Sequence, residues 1–103
     1  MALAAINAAG LGDNSVIAAV AGKKIRVRGL SLWHGDSTAT VAKWRSGTVD
    51  ISGTIALPAA AGFYGQLAAP PPAFLFGTVA GQALVLNLTM ASAVGGLLDF
   101  TLE

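Results

Sequence analysis

The sequence predicts an all-β chain, an antiparallel β-sandwich or jelly-roll-like single domain with a short N-terminal arm. Apolar and polar residues alternate with a period of two in several short stretches, as they do in strands with one buried face. Turn-forming clusters punctuate those stretches, and 13 Gly with many Ala, Thr, Ser and Val suit short strands and tight turns. About seven strands separated by such signals indicate two packed antiparallel sheets. The 103 residues make one domain, divided into an arm over 1–14 and a sandwich over 15–103. A chain of this length buries roughly 60–70% of the surface that its unfolded form exposes.

Taken in order, Met1 to Ala9 is Ala-rich and has the makings of one helical turn, which is marginal by itself in so short a segment. An arm that orders against a neighbour is the expected role, with Leu3, Ile6 and Leu11 as its docking residues. Ser15 to Val20 reads as a short apolar strand, turned by Ala21-Gly22. Lys24 to His34 is the longest strand candidate, with Ile25 and Val27 on one face and Lys24, Arg26 and Arg28 on the other. After Gly29 the apolar parity shifts to Leu30 and Leu32. Either a β-bulge beside the Gly or a strand buried on both faces produces that slip. Gly35-Asp36-Ser37 supplies a hairpin turn into Thr38 to Ser46, which would place Lys43 and Arg45 roughly opposite Arg26 and Arg28.

Val49, Ile51, Ile55 and Leu57 share one parity against Asp50, Ser52 and Thr54, a half-buried strand. Pro58 to Pro72 reads as a connection, stiffened by Pro70-Pro71-Pro72, which cannot donate to a ladder. Leu84 to Met90 and Leu97 to Leu102 are the last strands, joined through Ala91 to Gly96. Val20-Ala21-Gly22-Lys23 and Val79-Ala80-Gly81-Gln82 each set a small-residue turn before a long strand, an echo too weak to be a repeat.

Composition narrows the function. Hydrophobic residues are 54% of the chain and charged ones 11%, against roughly 45–50% and about 25% in ordinary soluble domains. So small a monomer lacks the interior to hide that excess, and exposed apolar surface marks interfaces. An obligate oligomer or a permanently docked subunit is therefore expected. The net charge of +1 does not by itself imply nucleic acid or an anionic membrane. The absence of Cys removes disulfides, Cys-ligated zinc and thiol nucleophiles.

Thr78 to Leu98 approaches the hydropathy of a membrane span, but Gln82, Asn87, Thr89 and Ser92 recur in it and Gly95-Gly96 breaks it. Its period of two, with Leu84, Leu86, Leu88 and Met90 on one face, is that of a strand. No membrane partner is expected. MALAAINAAGLG lacks the basic segment and continuous apolar core of a signal peptide.

Catalytic groups are few: His34, Tyr64 and the carboxylates of Asp13, Asp36, Asp50, Asp99 and Glu103. Beside His34 only Asp36 is near enough in sequence to share a metal, so a turn histidine with a local hydrogen bond is the expectation. No nucleophile elbow occurs, Gly22-Lys23-Lys24 lacks the remaining residues of a phosphate loop, and Asn87-Leu88-Thr89 is a glycosylation pattern inside a strand. No enzymatic activity and no cofactor are expected.

All six basic residues lie between Gly22 and Arg45. Lys24, Arg26, Arg28, Lys43 and Arg45 form the candidate basic contact face, with Lys23 alongside. A solvated face, a contact with acidic protein surface and, with Trp33 and Trp44 for stacking, a single-stranded nucleic-acid site all fit this pattern. No nucleic-acid partner is expected. Trp33, Trp44, Phe63, Tyr64, Phe74 and Phe76 are the candidate subunit interface.

GDNSVIAAVAGKKIRVRGLSLW (Gly12 to Trp33), TVAKWRSGTVDISGTIAL (Thr40 to Leu57) and TVAGQALVLNLTMASAVGGLLDFTLE (Thr78 to Glu103) together resemble a family of small tailed-phage virion proteins. There an AAVAGKKIRV block opens the domain, an SGT and ISG segment follows, and an AGxAL pattern and VGG precede the last strand. The resemblance covers nearly all the chain after Gly12, and its motifs are turn glycines and strand alternation. The Ala-rich arm and the Pro70-Pro71-Pro72 insertion depart from it.

The resemblance implies a non-enzymatic, commonly trimeric head-decoration (cement) or head-spike protein. Its partners would be its own copies and the major capsid protein, on the outer surface of a phage head, after synthesis in the bacterial cytoplasm. A receptor- or glycan-binding module of a tail or head fibre is the alternative that it implies.

Overall fold

The computed structural model describes residues 2–59, 62–68 and 73–103, the stretch 62–68 by its backbone alone. These residues form ten strands and, among them, no helix: β1 (Ala2–Ala8), β2 (Gly12–Ile17), β3 (Ile25–His34), β4 (Thr40–Ser46), β5 (Val49–Asp50), β6 (Ile55–Leu57), β7 (Gly62–Ala68), β8 (Phe76–Gly77), β9 (Leu84–Leu88) and β10 (Val94–Leu102). The front sheet runs β1-β10-β3-β7, with β8 sharing the place of β7 beside β3. The back sheet runs β2-β9-β4-β5, with β6 sharing the place of β5 beside β4. All pairs are antiparallel.

Counting each shared place once, the eight strand positions run front, back, front, back, back, front, back, front along the chain, with β1-β10-β3-β7 in one sheet and β2-β9-β4-β5 in the other. That is the strand order of a jelly roll. The expected antiparallel sandwich is therefore present. Residues 2–8 of the expected arm are laid down as β1, paired with β10 from Ala2↔Phe100 to Ala8↔Val94.

The core follows from the alternation. Ile6, Ile25, Val27, Leu30, Leu32, Val94 and Leu98 from the front sheet meet Ile17, Ala42, Trp44, Leu57, Leu84, Leu86 and Leu88 from the back sheet. Each large apolar side chain removed from water contributes about 1.5–3 kcal/mol. Trp44 lies 5.4 Å from Phe76 between ring centroids, tilted by 34°.

The parity slip in β3 resolves as a bulge. Gly29 pairs with Asp99 and Val27 with Phe100, so Arg28 is the extra residue, and the buried set passes from Ile25 and Val27 to Leu30 and Leu32.

Several expectations change. β3 and β4 do not form a hairpin; they lie in opposite sheets, and residues 35–39 arch across the sandwich between them. The physical reason is that each strand has its own apolar face, and facing sheets bury both. The strand expected over Val49 to Leu57 is split into β5 and β6, because Ser52 Oγ takes the Trp44 amide hydrogen (2.8 Å) in place of a main-chain carbonyl. Within the expected connection, Gly62–Ala68 forms β7 on β3; Pro70-Pro71-Pro72 lies outside the described residues. Met90 falls beyond β9 and is exposed.

The VAG echo also acquires a geometry. Lys23 N donates to Val20 O (3.0 Å) and Gln82 N to Val79 O (3.2 Å), with Gly22 and Gly81 at φ of 71° and 78°. Positive φ at the third residue suits a type II turn and favours Gly there. The two turns touch through a bond from Gly81 N to Lys23 O of 2.9 Å.

Candidate surface sites and the committed polar groups

The arch from β3 to β4 is where the chain's sole His and a carboxylate come together. His34 ends β3 with its side chain buried in the sandwich. Its Nδ1 donates to the Pro58 carbonyl (2.8 Å), which can only accept, and its Nε2 lies 2.7 Å from Ser92 Oγ. The Ser92 hydroxyl is also 2.7 Å from the Thr38 carbonyl. Asp36 accepts from Thr38 N (2.8 Å) with one oxygen and from Ala93 N (3.1 Å) with the other. Those two amide hydrogens hold the Asp36 carboxyl below the usual carboxylate range, with the nearby His34 adding to the effect.

The group therefore works as a clasp. It ties the arch to the β6 end at Pro58 and to the segment before β10. Both ring nitrogens of His34 and both oxygens of Asp36 already have partners. Those of His34 lie 24 and 58 residues away, so it is a buried long-range tie rather than the turn histidine with a local hydrogen bond that the sequence suggests. Asn14 clasps the β1–β2 arch similarly, accepting from Gly10 N (3.2 Å) and donating to Gly10 O (2.8 Å), Gly12 O and Leu86 O. Nothing in the local pattern around Asn14 distinguishes it, because one partner lies on β9. Among the described residues no three His, Cys, Asp or Glu side chains group as a metal site.

The basic cluster is divided by the fold. Because β3 and β4 lie in different sheets, Arg26 and Arg28 flank the front sheet and Lys43 and Arg45 the back sheet, so the opposition expected from a hairpin is absent. On the back face, Arg45 binds Asp13 (3.0 Å) and Asp50 (3.0 Å) and donates to the Thr48 carbonyl, while Lys43 reaches Asp50 at 3.1 Å. Asn87 donates to Asp13 at 2.7 Å. The Asn87 amide and then the Arg45 guanidinium hold the Asp13 carboxyl below its usual range against some desolvation. At the front, Arg26 lies 3.6 Å from Glu103 and 4.0 Å above the Phe74 ring centroid. Arg28 donates to Ala73 O (2.7 Å). Lys24 is exposed beyond the start of β3.

The apolar candidates divide too. Ile6, expected to dock, is 1% exposed because it faces inward on β1; it is a core residue, and docking by it is withdrawn. Leu3 (73%) and Leu11 (68%) are exposed, Leu3 outward on β1 and Leu11 in the β1–β2 arch. Among the interface candidates Trp44, at 1% exposed, lies in the core and supplies no subunit interface, while Phe76, packed against it, is half-buried. Trp33 (50%) and Phe74 are exposed. The side chains of Phe63 and Tyr64 lie outside what the structure describes.

What the sequence reading missed is Leu97, exposed at 54% on β10. The alternation of Leu98, Phe100 and Leu102 already set Leu97 on the opposite face and was the available signal. No described helix is long and apolar enough to cross a membrane. Comparison of the chain with protein-family models, with curated proteins and with solved structures gives no match.

Proposed function

We propose that this chain is a non-enzymatic structural subunit of a tailed-phage virion, a capsid decoration protein of the cement or head-spike kind. In this reading it assembles as a trimer and docks on the major capsid shell, stabilising it from the outer surface of the head. One observation carries the proposal: among the described residues His34, Ser92, Asp36, Asp13 and Arg45 are committed to holding a jelly roll together, while the outer face of the front sheet presents exposed Leu3, Leu97 and Trp33. Double-sheet jelly rolls recur in viral capsid proteins and lectins, which supports the reading at the level of fold analogy. The resemblance of Gly12 to Trp33 and Thr78 to Glu103 to small virion proteins supports it independently.

The exposed Leu11 at the β1–β2 arch is the best remaining docking residue. Several modest contacts around a trimer hold a shell through multivalency without any single strong one. A second reading, a receptor- or glycan-binding module of a tail or head fibre, draws on the exposed rings of Trp33 and Phe74. Nucleic acid and membrane are not partners in either reading.

Immunogold labelling of intact particles with antibody to the purified chain tests this. Dense label over heads is the expected result. Label at fibre or tail tips moves the function to host recognition, and unlabelled particles overturn the virion reading.

A further inference from the structure

The outer face of the front sheet is poor in charge and rich in exposed apolar side chains. The register places Ala5 opposite Leu97 and Leu97 opposite Ser31, with Leu3 beside Asp99 and Trp33 beside Gly95. Leu3, Ala5, Leu97 and Trp33 thus point to one side on three adjacent strands. Strands lie about 4.8 Å apart, so these side chains make one continuous strip. Gly95, between Asn7 and Trp33, adds no bulk. Asp99 is the sole acidic residue on the strip, and no ion pair to it occurs among the described residues.

The strip ends at β1, an edge strand of the front sheet. Natural edges are guarded by Lys, Pro, bulges or a covering segment. Ala2–Ala8 has no charge and no Pro, and its pairing with β10 runs without a bulge. The longer axes of the molecule, 38 and 27 Å, cap either outer face at about 1,000 Å², so a contact of the ~800 Å² per partner of a standard interface would take most of this one.

We propose that a second copy of this chain covers this face, with Leu97, Trp33 and Leu3 at the centre of the contact and Arg26 and Arg28 at its rim. A second copy suits this face because Asp99 on the strip and Arg28 at its rim take part in no ion pair among the described residues, and another copy offers each of them the opposite charge. The back face is unsuited, since burying its Asp13, Arg45, Lys43 and Asp50 cluster would desolvate four charges. The inference rests on the self-assembly part of the proposed function and names the surface responsible.

Light scattering coupled to size exclusion, over a hundredfold range of concentration, tests it on the full chain. The expected mass is that of two or more copies of the 10.3 kDa chain. Leu97→Arg should weaken assembly at least a hundredfold, and Leu3→Arg should weaken it less. Val49→Arg, at a back-sheet position 60% exposed, should leave the mass unchanged. Circular dichroism establishes that each variant keeps its β-sheet spectrum.

A monomeric parent chain overturns the inference, as does a folded Leu97→Arg variant with undiminished mass, or equal dissociation by Val49→Arg. A monomer would defeat this inference and the trimer, leaving particle location to the gold label. An intact oligomer on unlabelled particles would defeat the virion reading alone.

Discussion

The back sheet closes its outer face with charges that satisfy one another, whereas the front sheet leaves its outer face to Leu3, Ala5, Leu97 and Trp33. Inward, the two sheets are alike, each giving an apolar layer to one core. Outward, β4 carries Lys43 and Arg45 beside Asp13 and Asp50 on its neighbours. On the front, Arg26 and Arg28 are confined to one end of β3, Arg26 before the bulge and Arg28 in it. The same fold thus makes one surface complete in itself and one that gains from being covered. The contrast cannot arise from topology, which treats the sheets equivalently; it is set by which residues occupy the outward positions of β10 and β4.

The largest expected effect probes the centre of the front sheet. Gly96 has φ of 152°, and a Cβ there would lie 1.9 Å from the Ser31 carbonyl oxygen. Gly96→Ala should force β10 away from β3 and cost about 3 kcal/mol or more in urea unfolding. Val85→Ala, at the matching central strand of the back sheet, should cost only about 1–2 kcal/mol from lost burial. Equal losses would show that the front strands accommodate the methyl and that the close approach has little weight.

Next comes the clasp that joins the sheets. His34→Ala removes the partner of Pro58 O and Ser92 Oγ inside the sandwich and should cost about 2–3 kcal/mol by chemical denaturation. Asp36→Ala, at the exposed arch, should cost less. A His34→Ala chain as stable as its parent would mean that the arch is held by its main chain alone.

A smaller effect is expected from the back face. Arg45→Met should cost about 1 kcal/mol or less, since exposed ion pairs contribute little. The loss should shrink in high salt, measured as thermal midpoint against ionic strength. A salt-independent loss would mean that Arg45 acts through its packing over the sheet rather than its charge.

The smallest effect is in acid. Asp13 and Asp36 both titrate below their unfolded value, which lies near 3.9. Their stabilisation is complete above that value and is lost as pH falls through the folded one. Stability should therefore stay level above about pH 5 and decline below pH 4. In the Asp13→Asn, Asp36→Asn double variant the decline should be shallower, and an unaltered acid limb would assign it to other carboxylates.

The alternation of Ile25, Val27, Leu30 and Leu32 showed a parity slip beside Gly29 but left a bulge and a strand buried on both faces equally open, and only the pairing with β10 decides for the bulge at Arg28. The turn Gly35-Asp36-Ser37 was legible as a turn but not as an arch. A hairpin and a crossing between sheets use the same residues, and the partners that decide, Ser92 and Ala93, lie 54 to 57 positions from Thr38 and Asp36. Ile6 and Trp44 show a related blindness. A lone Ile in an Ala-rich segment and a Trp between two cations both look like surface anchors until strand pairing fixes which way they face. Leu97 was readable by parity and was passed over because its neighbours Leu98 and Phe100 carried the stronger pattern.

The pairing of β10 between β1 and β3 has a consequence in time. The two flanking strands leave the ribosome before their common neighbour, separated from it by most of the chain. Until β10 is made, the front sheet has no centre, and apolar β1 and β3 wait with open edges. The back sheet can assemble earlier, since β2, β4 and β9 all precede β10. Folding should therefore finish in one late, slow step governed by long-range closure, and chains stalled before Val94 should be the ones that chaperones and proteases find.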